Sequence, residues 1–476
     1  MAFNSIDYLV FLTVAFLVHW ALPQRIKMFW LWALSYFFYA QWNEKYLILI
    51  ALSTLVDYGC ALGMERKPLR AKVYLIISLL SNLGILFTFK YLGFFSEVAQ
   101  QLGELLGRPL YVPILEVLLP VGISFYTLQT LSYSIDVYNK KIKPEHSFPH
   151  FATYVSFFPQ LVAGPIERAG HILPQLNRRP SLNIECFNSG LRLILWGLVK
   201  KTVLADRIAP HMEYVYHQHH DPDNGTVLFA SILANILIYV DFSAYSDIAI
   251  GSARLLGYQL RVNFNFPLFS RSMPDFWKRW HTSLHDFFID YIYYPIGGRR
   301  VNWSRWLFNI FVIFIISGLW HGAAWNFVAW SIFHMLLVWV HIHLAKLWQL
   351  QGWAMPSSPW HALWQIPLVH LQRALSMIFF FIPNPSRAWE LFRNLFTENY
   401  SFQIGTLLPY PSFVQALILL GPILLMILEG LHIRRSWGQR LKTMPLPFNW
   451  TLHYALILSI AILGVETNNP FIYFQF

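Results

Sequence analysis

The chain has 476 residues, of which 56% are hydrophobic and only 12% are charged. Soluble domains carry about 25% charged residues, so this composition leaves too little polar surface for a water-soluble body. A disordered chain is excluded because disorder requires low hydrophobicity. A disulfide-stabilised secreted domain is excluded because the chain has only two cysteines. Lys and Arg number 35 against 24 Asp and Glu, a formal net charge of +11. In a membrane protein this excess is typical of cytoplasmic loops and does not indicate nucleic acid. The composition predicts an integral membrane protein.

A spanning helix needs about 20 mostly apolar residues. The apolar segments therefore predict an all-α, polytopic transmembrane protein with about 11 spans plus re-entrant or interfacial helices. In chain order the candidate segments are 8–22, 29–41, 45–62, 73–95, 114–137, 150–164, 187–206, 226–251, 304–320, 323–343, 363–382, 412–430 and 451–464. The short segments 29–41 and 150–164 are expected to be half-helices or re-entrant pieces. The first helix is expected to be retained, because no Lys or Arg precedes its apolar run.

Basic residues between the apolar segments predict the orientation. By the positive-inside rule, loops rich in Lys and Arg face the cytoplasm. Four clusters meet this description: Arg66, Lys67, Arg70 and Lys72; Lys140, Lys141 and Lys143; Arg299, Arg300 and Arg305; and Arg434, Arg435, Arg440 and Lys442. The loop predicted over 211–225 lacks both residue types and is expected on the opposite side.

Polar side chains at membrane depth are costly, so their positions carry the functional signal. The first such run lies within residues 121–168 and includes Thr127, Gln129, Thr130 and Asp136. Two interpretations stay open for it. Hydroxyl and amide groups commonly join helices in membrane bundles. The same groups are also suited to the wall of a polar cavity.

The second run, residues 238–251, contains two acids in an apolar helix. Asp241 and Asp247 are six residues apart and face different sides of a helix, which disfavours a paired-carboxylate site. Asp241 and Tyr245 are four residues apart and can meet. Because no Lys or Arg lies near in sequence, partners are expected from elsewhere in the bundle. Structural stabilisation and substrate recognition both stay open.

The third run is the densest. Its spacing predicts one amphipathic helix over 275–294, with Trp280 on the apolar stripe and Lys278 and Arg279 away from it. His281 lies at the boundary of the stripe. A charged side chain at the centre of a lipid-exposed helix costs about 2.5–3.5 kcal/mol. We therefore expect this helix to lie in the interface or to enter a protein-lined recess.

A break is predicted in the long apolar run that follows. As one straight helix, residues 304–343 would extend about 60 Å, twice the hydrocarbon core. Gly318 and Gly322 are the expected place for the break, which puts His321 at its edge. A buried structural histidine remains the alternative for His321.

A metal site is not expected. One histidine-rich stretch, His211, His217, His219 and His220 with Asp221 and Asp223, offers groups that can bind zinc, but its spacing matches no zinc motif. The phosphate-binding glycine motifs and the nucleophile-elbow motif are also missing from the sequence.

Several of these runs together resemble the membrane-bound O-acyltransferase family. The motifs are DFWKRWHTSLHDFFIDYIYYPIGG at 275–298 and WHGAAWNFVAW at 320–330. The flanking stretches VDFSAYSDIAIG, SFFPQLVAGPIER, SFYTLQTLSYSIDVY and the terminal NPFIYFQF are similar to the family's bacterial polysaccharide branch, which includes alginate O-acetylation proteins. The resemblance covers most of the chain.

This resemblance implies one membrane domain over 1–476, a core at about 120–345 and a central passage. It also implies transfer of an acyl group, acetyl above all, from a cytoplasmic thioester such as acetyl-CoA toward hydroxyls of an extracytoplasmic polysaccharide. Transfer is direct or runs through a periplasmic partner of the SGNH type, in the bacterial inner membrane. His321 is the implied catalytic base and His281 its active-site companion. No permanently bound cofactor is implied.

The chemistry assigns further residues to substrate binding. Acyl transfer needs a proton acceptor near neutrality and a donor to the developing oxyanion. Asn326 and the Trp320 indole are candidate donors, and Lys278 and Arg279, with the basic 299–300 pair, are candidates for the phosphates of the donor. The substrate-binding set is Trp320, Asn326, Asp241, Tyr245, Trp280, Lys278 and Arg279. We expect the His281 and His321 imidazoles within about 10 Å of each other, across a narrow passage.

Two other classes of function stay open. A transporter or flippase has a similar number of spans, but transporters usually carry paired broken helices in both halves. Here the polar and broken elements concentrate in residues 121–325. A scaffold that only recruits a periplasmic partner is the third possibility.

Overall fold

The structure is a computed structural model and describes residues 1–108, 119–162, 164–218, 222–353, 358–397, 412–465 and 471–472. Throughout these ranges the regular secondary structure is helical, which confirms the all-α prediction. The chain forms two compact units, residues 1–194 with 248–261 and residues 195–247 with 262–476. The single domain expected from the sequence stays a prediction.

The first unit contains nine complete α-helices among the described residues. They are α1 Ile6–Ala21, α2 Gln24–Ala40, α3 Leu47–Arg66, α4 Ala71–Leu86, α5 Leu92–Leu105, α6 Ile123–Tyr138, α7 Phe148–Ser156, α8 Phe158–Leu161 and α9 Ala169–Leu176. A π-helical turn, Phe87–Tyr91, joins α4 to α5. The segment predicted over 150–164 is indeed made of short pieces, α7 and α8. Helices α10 (Ile184–Leu198) and α12 (Asn224–Leu255) contribute residues to both units.

A buried hydrogen-bond network joins α3, α4 and α6 of the first unit. The Asp57 carboxylate accepts from Ser78 Oγ at 2.5 Å and from Asn82 Nδ2 at 2.9 Å. From α6, Ser134 Oγ donates to the same carboxylate at 3.3 Å, and Thr130 Oγ1 donates to Asn82 Oδ1 at 3.1 Å. All five side chains are buried. The polar face of α6 at Thr130 and Ser134 therefore joins helices.

The second unit carries the remaining helices of the described ranges. They are α11 Asp206–Glu213, α13 Met273–Arg279, α14 Thr282–Phe288, α15 Trp303–His321, α16 Trp325–Leu350, α17 Ala362–Phe381, α18 Pro385–Thr397, α19 Ser412–Arg434, α20 Trp437–Thr443 and α21 Leu446–Leu463. Three π-helical segments, Val199–Ala205, Tyr214–Gln218 and Ile289–Tyr293, lie beside them. The loop predicted over 211–225 is thus wrong in its first part, which is helical to residue 218; residues 219–221 lie outside the described ranges.

Seven helical segments of the described chain are long and apolar enough to cross a membrane. They are Glu44–Arg66, Pro68–Leu105, Asn224–Leu255, Trp303–His321, Trp325–Leu350, Phe413–Arg434 and Leu446–Leu463, and Ile6–Ala21 is a shorter apolar helix. A polytopic membrane protein is therefore supported, whereas the count of about 11 spans stays a prediction. The polar run 275–294 is not among these segments, in keeping with the expectation that it does not span.

The predicted break between two apolar helices falls at Gly322. Helix α15 begins after Asn302, whose Oδ1 accepts from the Arg305 N–H at 2.9 Å, and ends at His321. A Cβ at Gly322 would lie 2.1 Å from the Phe327 ring, so only glycine admits this approach. Gly318 lies inside α15, where a Cβ would lie 2.6 Å from Ser331 Oγ on α16. The two helices therefore pack closely just beside His321.

Gly322→Ala should destabilise the protein. The added methyl group collides with the Phe327 ring, and overpacking of this kind typically costs about 1–3 kcal/mol. Thermal unfolding of the detergent-solubilised protein measures the change. Gly59→Ala in α3 is the matched control, because nothing lies within 4 Å of its Cβ position. Equal melting temperatures for the two variants would contradict the packing described at Gly322.

Candidate active site

His281 lies at a break between two short helices, and the single amphipathic helix predicted over 275–294 is wrong. Helix α13 ends at Arg279, and His281 has φ 43° and ψ 54°, the left-handed region. The backbone groups freed by the break pair with a remote segment: Asn265 N–H donates to the Arg279 carbonyl, and Thr282 N–H to the Asn263 carbonyl, both at 2.9 Å. These hydrogen bonds replace the helical ones and hold His281 out of helical register.

The partners of His281 define its tautomer. Asn263 Oδ1 accepts from Ser283 Oγ at 2.6 Å and lies 3.2 Å from His281 Nδ1, while Asn263 Nδ2 donates to Ser246 Oγ at 3.1 Å. A carbonyl oxygen only accepts, so Nδ1 carries the proton and Nε2 is the acceptor atom. Burial lowers the pKa of His281 to about 3, because the charged form loses its hydration. The imidazole is therefore neutral at physiological pH.

His321 is the last residue of α15 and is enclosed by aromatic rings. Only 4% of its surface is exposed. Its ring centroid lies 5.0 Å from that of Trp330 on α16 and 5.9 Å from that of Phe380 on α17, both edge-on. The break at Gly322 turns the chain so that this imidazole faces α16 and α17.

The indole of Trp320 contacts both imidazoles. Its ring centroid lies 5.8 Å from that of His281 and 5.0 Å from that of His321. The two histidines thus contact the same indole, while the separation of about 10 Å or less expected from the sequence stays a prediction. Phe242 of α12 completes the enclosure of His281, with 4.7 Å between ring centroids. The structure thus brings His281, Trp320 and His321 into one buried cluster.

The other predicted substrate-binding residues take different positions. Trp280 is buried, and its ring centroid lies 5.4 Å from that of Phe276 at a tilted angle, whereas Lys278 is exposed. Arg279 is half-buried, and its Nε pairs with Asp275 at 2.8 Å. The Asn326 side chain donates to the Phe380 carbonyl at 3.1 Å, which fixes α16 against α17. Of these four residues, only Trp280 is the sequence neighbour of a site histidine, His281.

Asp241 and Tyr245 belong to a buried ion-pair network. Lys201 Nζ lies 2.7 Å from Asp241 and 2.9 Å from Asp206, and also over the Tyr245 ring. The second Asp241 oxygen accepts from the Ile472 N–H at 2.9 Å. The sequence prediction that the partners of these acids come from elsewhere in the bundle is correct. Since both carboxylate oxygens of Asp241 are engaged, this geometry favours structural stabilisation over substrate recognition.

Sequence reasoning missed both lysines of this network. Lys200 pairs with Asp247 at 2.8 Å and donates to Ser243 Oγ at 2.8 Å. The pair Lys200-Lys201 interrupts an apolar segment, and ionisable residues at membrane depth are the signal that could have found it. The same signal marks Arg373 and His334, which were also missed.

The histidine-rich stretch near residue 211 is only partly described, because His219, His220 and Asp221 lie outside the described ranges. Within the described ranges, no group of three or more His, Cys, Asp or Glu side chains is arranged so that it could bind a metal ion. Cys60 and Cys186 are not joined in a disulfide.

Comparison with models of protein families identifies one family that matches this chain. The family described as the membrane-bound O-acyltransferase family matches residues 26–358, a range that holds His281, Trp320 and His321. The chain belongs to the membrane-bound O-acyltransferase family.

Its relatives include proteins with different acceptors in their names. A probable alginate O-acetylase of Pseudomonas aeruginosa is 33% identical over 338 residues, which cover 70% of this chain and 64% of the relative. One from Azotobacter vinelandii is equally similar over 70% of this chain and 67% of its own length. A peptidoglycan O-acetyltransferase of Helicobacter pylori is 33% identical over 364 residues, 70% of this chain and 68% of the relative. The chain thus spans about two thirds of the length of these relatives.

Lys201→Met should destabilise the second unit strongly. Removing the cation leaves Asp206 and Asp241 buried without it, and breaking a buried ion pair costs about 3–5 kcal/mol. Thermal unfolding in detergent measures the loss. Lys278→Met is the matched control; its side chain is exposed, so a change within about 0.5 kcal/mol is expected. A Lys201→Met protein as stable as the control would show that the network does not hold this unit together.

Proposed function

We propose that the protein is a membrane O-acyltransferase that moves an acetyl group from a cytoplasmic thioester to hydroxyls of an extracytoplasmic polysaccharide. The transfer is direct or runs through a periplasmic acyltransferase of the SGNH type. The observation that carries the proposal is the buried cluster in which the Trp320 indole contacts both His281 and His321. Membership of the acyltransferase family supports the reaction class.

The reaction needs one proton to be moved. The acceptor hydroxyl oxygen attacks the thioester carbonyl carbon, and His321 takes the hydroxyl proton as general base. The carbon–sulfur bond then breaks, the thiolate leaves, and the proton returns to sulfur to give the free thiol. The products are an ester and a thiol, so atoms and charge balance. His281 is neutral and protonated at Nδ1, so Nε2 is its acceptor atom, and its ring contacts the Trp320 indole.

Exposed cations near the His281 segment in sequence support a donor that carries phosphate groups. Acetyl-CoA carries several phosphate charges, and Lys278, Arg299 and Arg300 are exposed cations near the His281 segment in sequence. Arg279 is less suited to this role because Asp275 already pairs with it. A carrier-protein thioester presents the same phosphopantetheine chemistry and is the alternative donor.

The acceptor class is a polysaccharide hydroxyl. Relatives of equal identity are named for alginate and for peptidoglycan, so their names support a glycan acceptor without choosing between the two. A bacterial cytoplasmic membrane is the location that gives access to a cytoplasmic donor and an outer glycan.

His321→Ala should abolish acetyl transfer, and His281→Ala should impair it strongly. Losing a general base lowers the rate by about 10²–10⁴-fold. The assay uses inverted membrane vesicles of the source bacterium, which retain the native acceptor and partner inside, with labelled acetyl-CoA outside; ester-bound label is counted. His343→Ala is the matched control, because this exposed histidine lies on α16 outside the cluster. Near-normal transfer by His321→Ala would overturn the assignment and favour the scaffold or transporter alternatives.

The orientation is tested by single cysteines at Glu213 and Arg300 in a background without the native cysteines. Both positions are exposed. The distribution of Lys and Arg predicts that the position-213 cysteine labels from the periplasmic side and the position-300 cysteine from the cytoplasmic side. An impermeant maleimide applied to spheroplasts and to inverted vesicles distinguishes the two sides. Labelling of both cysteines from one side would refute the orientation.

A further inference from the structure

An open groove runs along one face of α19, a helix that is long and apolar enough to span the membrane. Its other wall is the ring of Phe269, which belongs to the short helical turn Pro267–Phe269. The residues of α19 that line the groove are Met426, Ile427, Gly430, Leu431, Ile433 and Arg434. Its volume of about 560 Å³ lies within the range of about 300–1,000 Å³ that ligand pockets occupy.

The groove is apolar along most of its length and follows the axis of a spanning helix. Met426 and Arg434 are eight residues apart, which is about 12 Å along an α-helix. One half of the hydrocarbon core of a membrane measures about 15 Å. Ile427 and Leu431 on its wall are 55% and 37% exposed, so the groove opens away from the protein core. Its length and direction therefore match an acyl chain of one membrane leaflet.

Gly430 leaves the space between α19 and the Phe269 ring open. A Cβ at position 430 would lie 3.4 Å from Phe269 Cζ, which is ordinary contact for a methyl group. A longer side chain at this position would fill the groove. Glycine weakens the interior of a helix relative to alanine, and the open groove is what this position provides in return.

The groove ends among basic residues. Arg434 at its mouth is the last residue of α19, and Arg435, Arg440 and Lys442 follow within eight residues. The sequence over 430–463 contains neither Asp nor Glu. In the described part of the chain, no carboxylate pairs with any of the three arginines. The positive charge at the mouth is therefore not balanced by neighbouring side chains.

Arg434 is the arginine whose guanidinium is available at the mouth. Arg440 Nη2 donates to the Leu431 carbonyl at 2.9 Å and its Nε to the Arg435 carbonyl at 3.0 Å, which satisfies the carbonyl end of α19. Arg435 Nη2 donates to Thr443 Oγ1 at 3.1 Å. The exposed Arg434 makes no hydrogen bond or ion pair with the described residues. Its N–H groups can therefore bind an anion from outside the chain.

Helix α20 places these cations at a membrane surface. It connects α19 and α21, and both of these helices are long and apolar enough to span. Trp437 Nε1 donates to the Leu428 carbonyl of α19 at 3.3 Å, and Asn449 Nδ2 of α21 donates to the Leu441 carbonyl at 3.1 Å. Basic clusters in this position, at the end of a spanning helix, attract anionic lipids.

We propose that this groove binds one anionic phospholipid, with an acyl chain along α19 against Phe269 and the phosphate group at Arg434. The planar guanidinium matches the geometry of phosphate oxygens, and the apolar walls match the hydrocarbon chain. A zwitterionic lipid carries an additional cation, which the basic residues of the mouth repel. The charged mouth also favours a lipid over an apolar helix of a partner protein, which has no charge to place there.

The test is native mass spectrometry of the full-length protein in detergent, titrated with phosphatidylglycerol, phosphatidylethanolamine or glycerol 3-phosphate. One phosphatidylglycerol should bind at least about fivefold more tightly than phosphatidylethanolamine, the contribution of one cation near a membrane surface. Glycerol 3-phosphate has the phosphate without the acyl chains and should bind far more weakly than the lipid. Equal affinity for the two lipids, or for the lipid and glycerol 3-phosphate, would overturn the proposal.

Variants locate the bound lipid. Arg434→Gln should weaken phosphatidylglycerol binding about fivefold, and Gly430→Leu should weaken it by filling the groove, whereas Gly430→Ala should bind as the wild type does. Arg70→Gln is the matched control, because Arg70 is an exposed arginine of another basic cluster and its loss should leave binding unchanged.

Equal weakening by Arg434→Gln and Arg70→Gln would show attraction by net charge alone and would overturn the site. A second protein chain bound in place of lipid, and lost in Gly430→Leu, would overturn it in favour of a partner helix. Melting temperatures without added lipid show whether each variant is folded. If Gly430→Leu is not folded, the comparison of Arg434→Gln with Arg70→Gln decides.

Discussion

Both site histidines lie where a helix ends, and in a membrane protein every helix end frees backbone groups that need partners. At His281 the residues around Asn263 supply those partners, since backbone groups of Asn263 and Asn265 pair with the chain on either side of the break. At His321 only three residues separate the end of α15 from the start of α16. Glycine is needed at position 322 because the Phe327 ring occupies the space that a side chain would fill. The rest of the site depends on these two helix breaks, because they bring the Trp320 indole into contact with both imidazoles.

Two lysines and three aspartates of the second unit form ion pairs with one another. Lys201 pairs with the buried Asp206 and Asp241, and the buried Lys200 pairs with the half-buried Asp247. Ion pairing lowers the cost of burying ionisable side chains inside a membrane helix bundle. The buried polar groups of this network therefore hold helices together.

Part of the fold and of the site could be predicted from the sequence, for identifiable reasons. The break at Gly322 follows from length, since a single helix over the 40 residues 304–343 would exceed a membrane's thickness. The break at His281 could not be predicted, because the helical spacing of apolar residues continues through Trp280. Such spacing shows which side chains are apolar, but it does not show where the backbone hydrogen bonds of a helix are interrupted. The hydrogen bonds that interrupt the helix come from Asn263 and Asn265, which no local pattern connects to it. The sequence did not single out Arg373 for a related reason: Phe276 and Trp280, the rings on which its guanidinium stacks, lie almost a hundred residues earlier.

The central claim is that acyl transfer takes place at the cluster of His281, Trp320 and His321. The most direct measurement is an experimental structure, in lipid nanodiscs, of the protein bound to acetonyl-CoA, in which a methylene group between carbonyl and sulfur blocks transfer. The account predicts that the ketone lies in contact with the Trp320 indole, between the His281 and His321 imidazoles. A ketone bound elsewhere, with closed packing around Trp320, would contradict it.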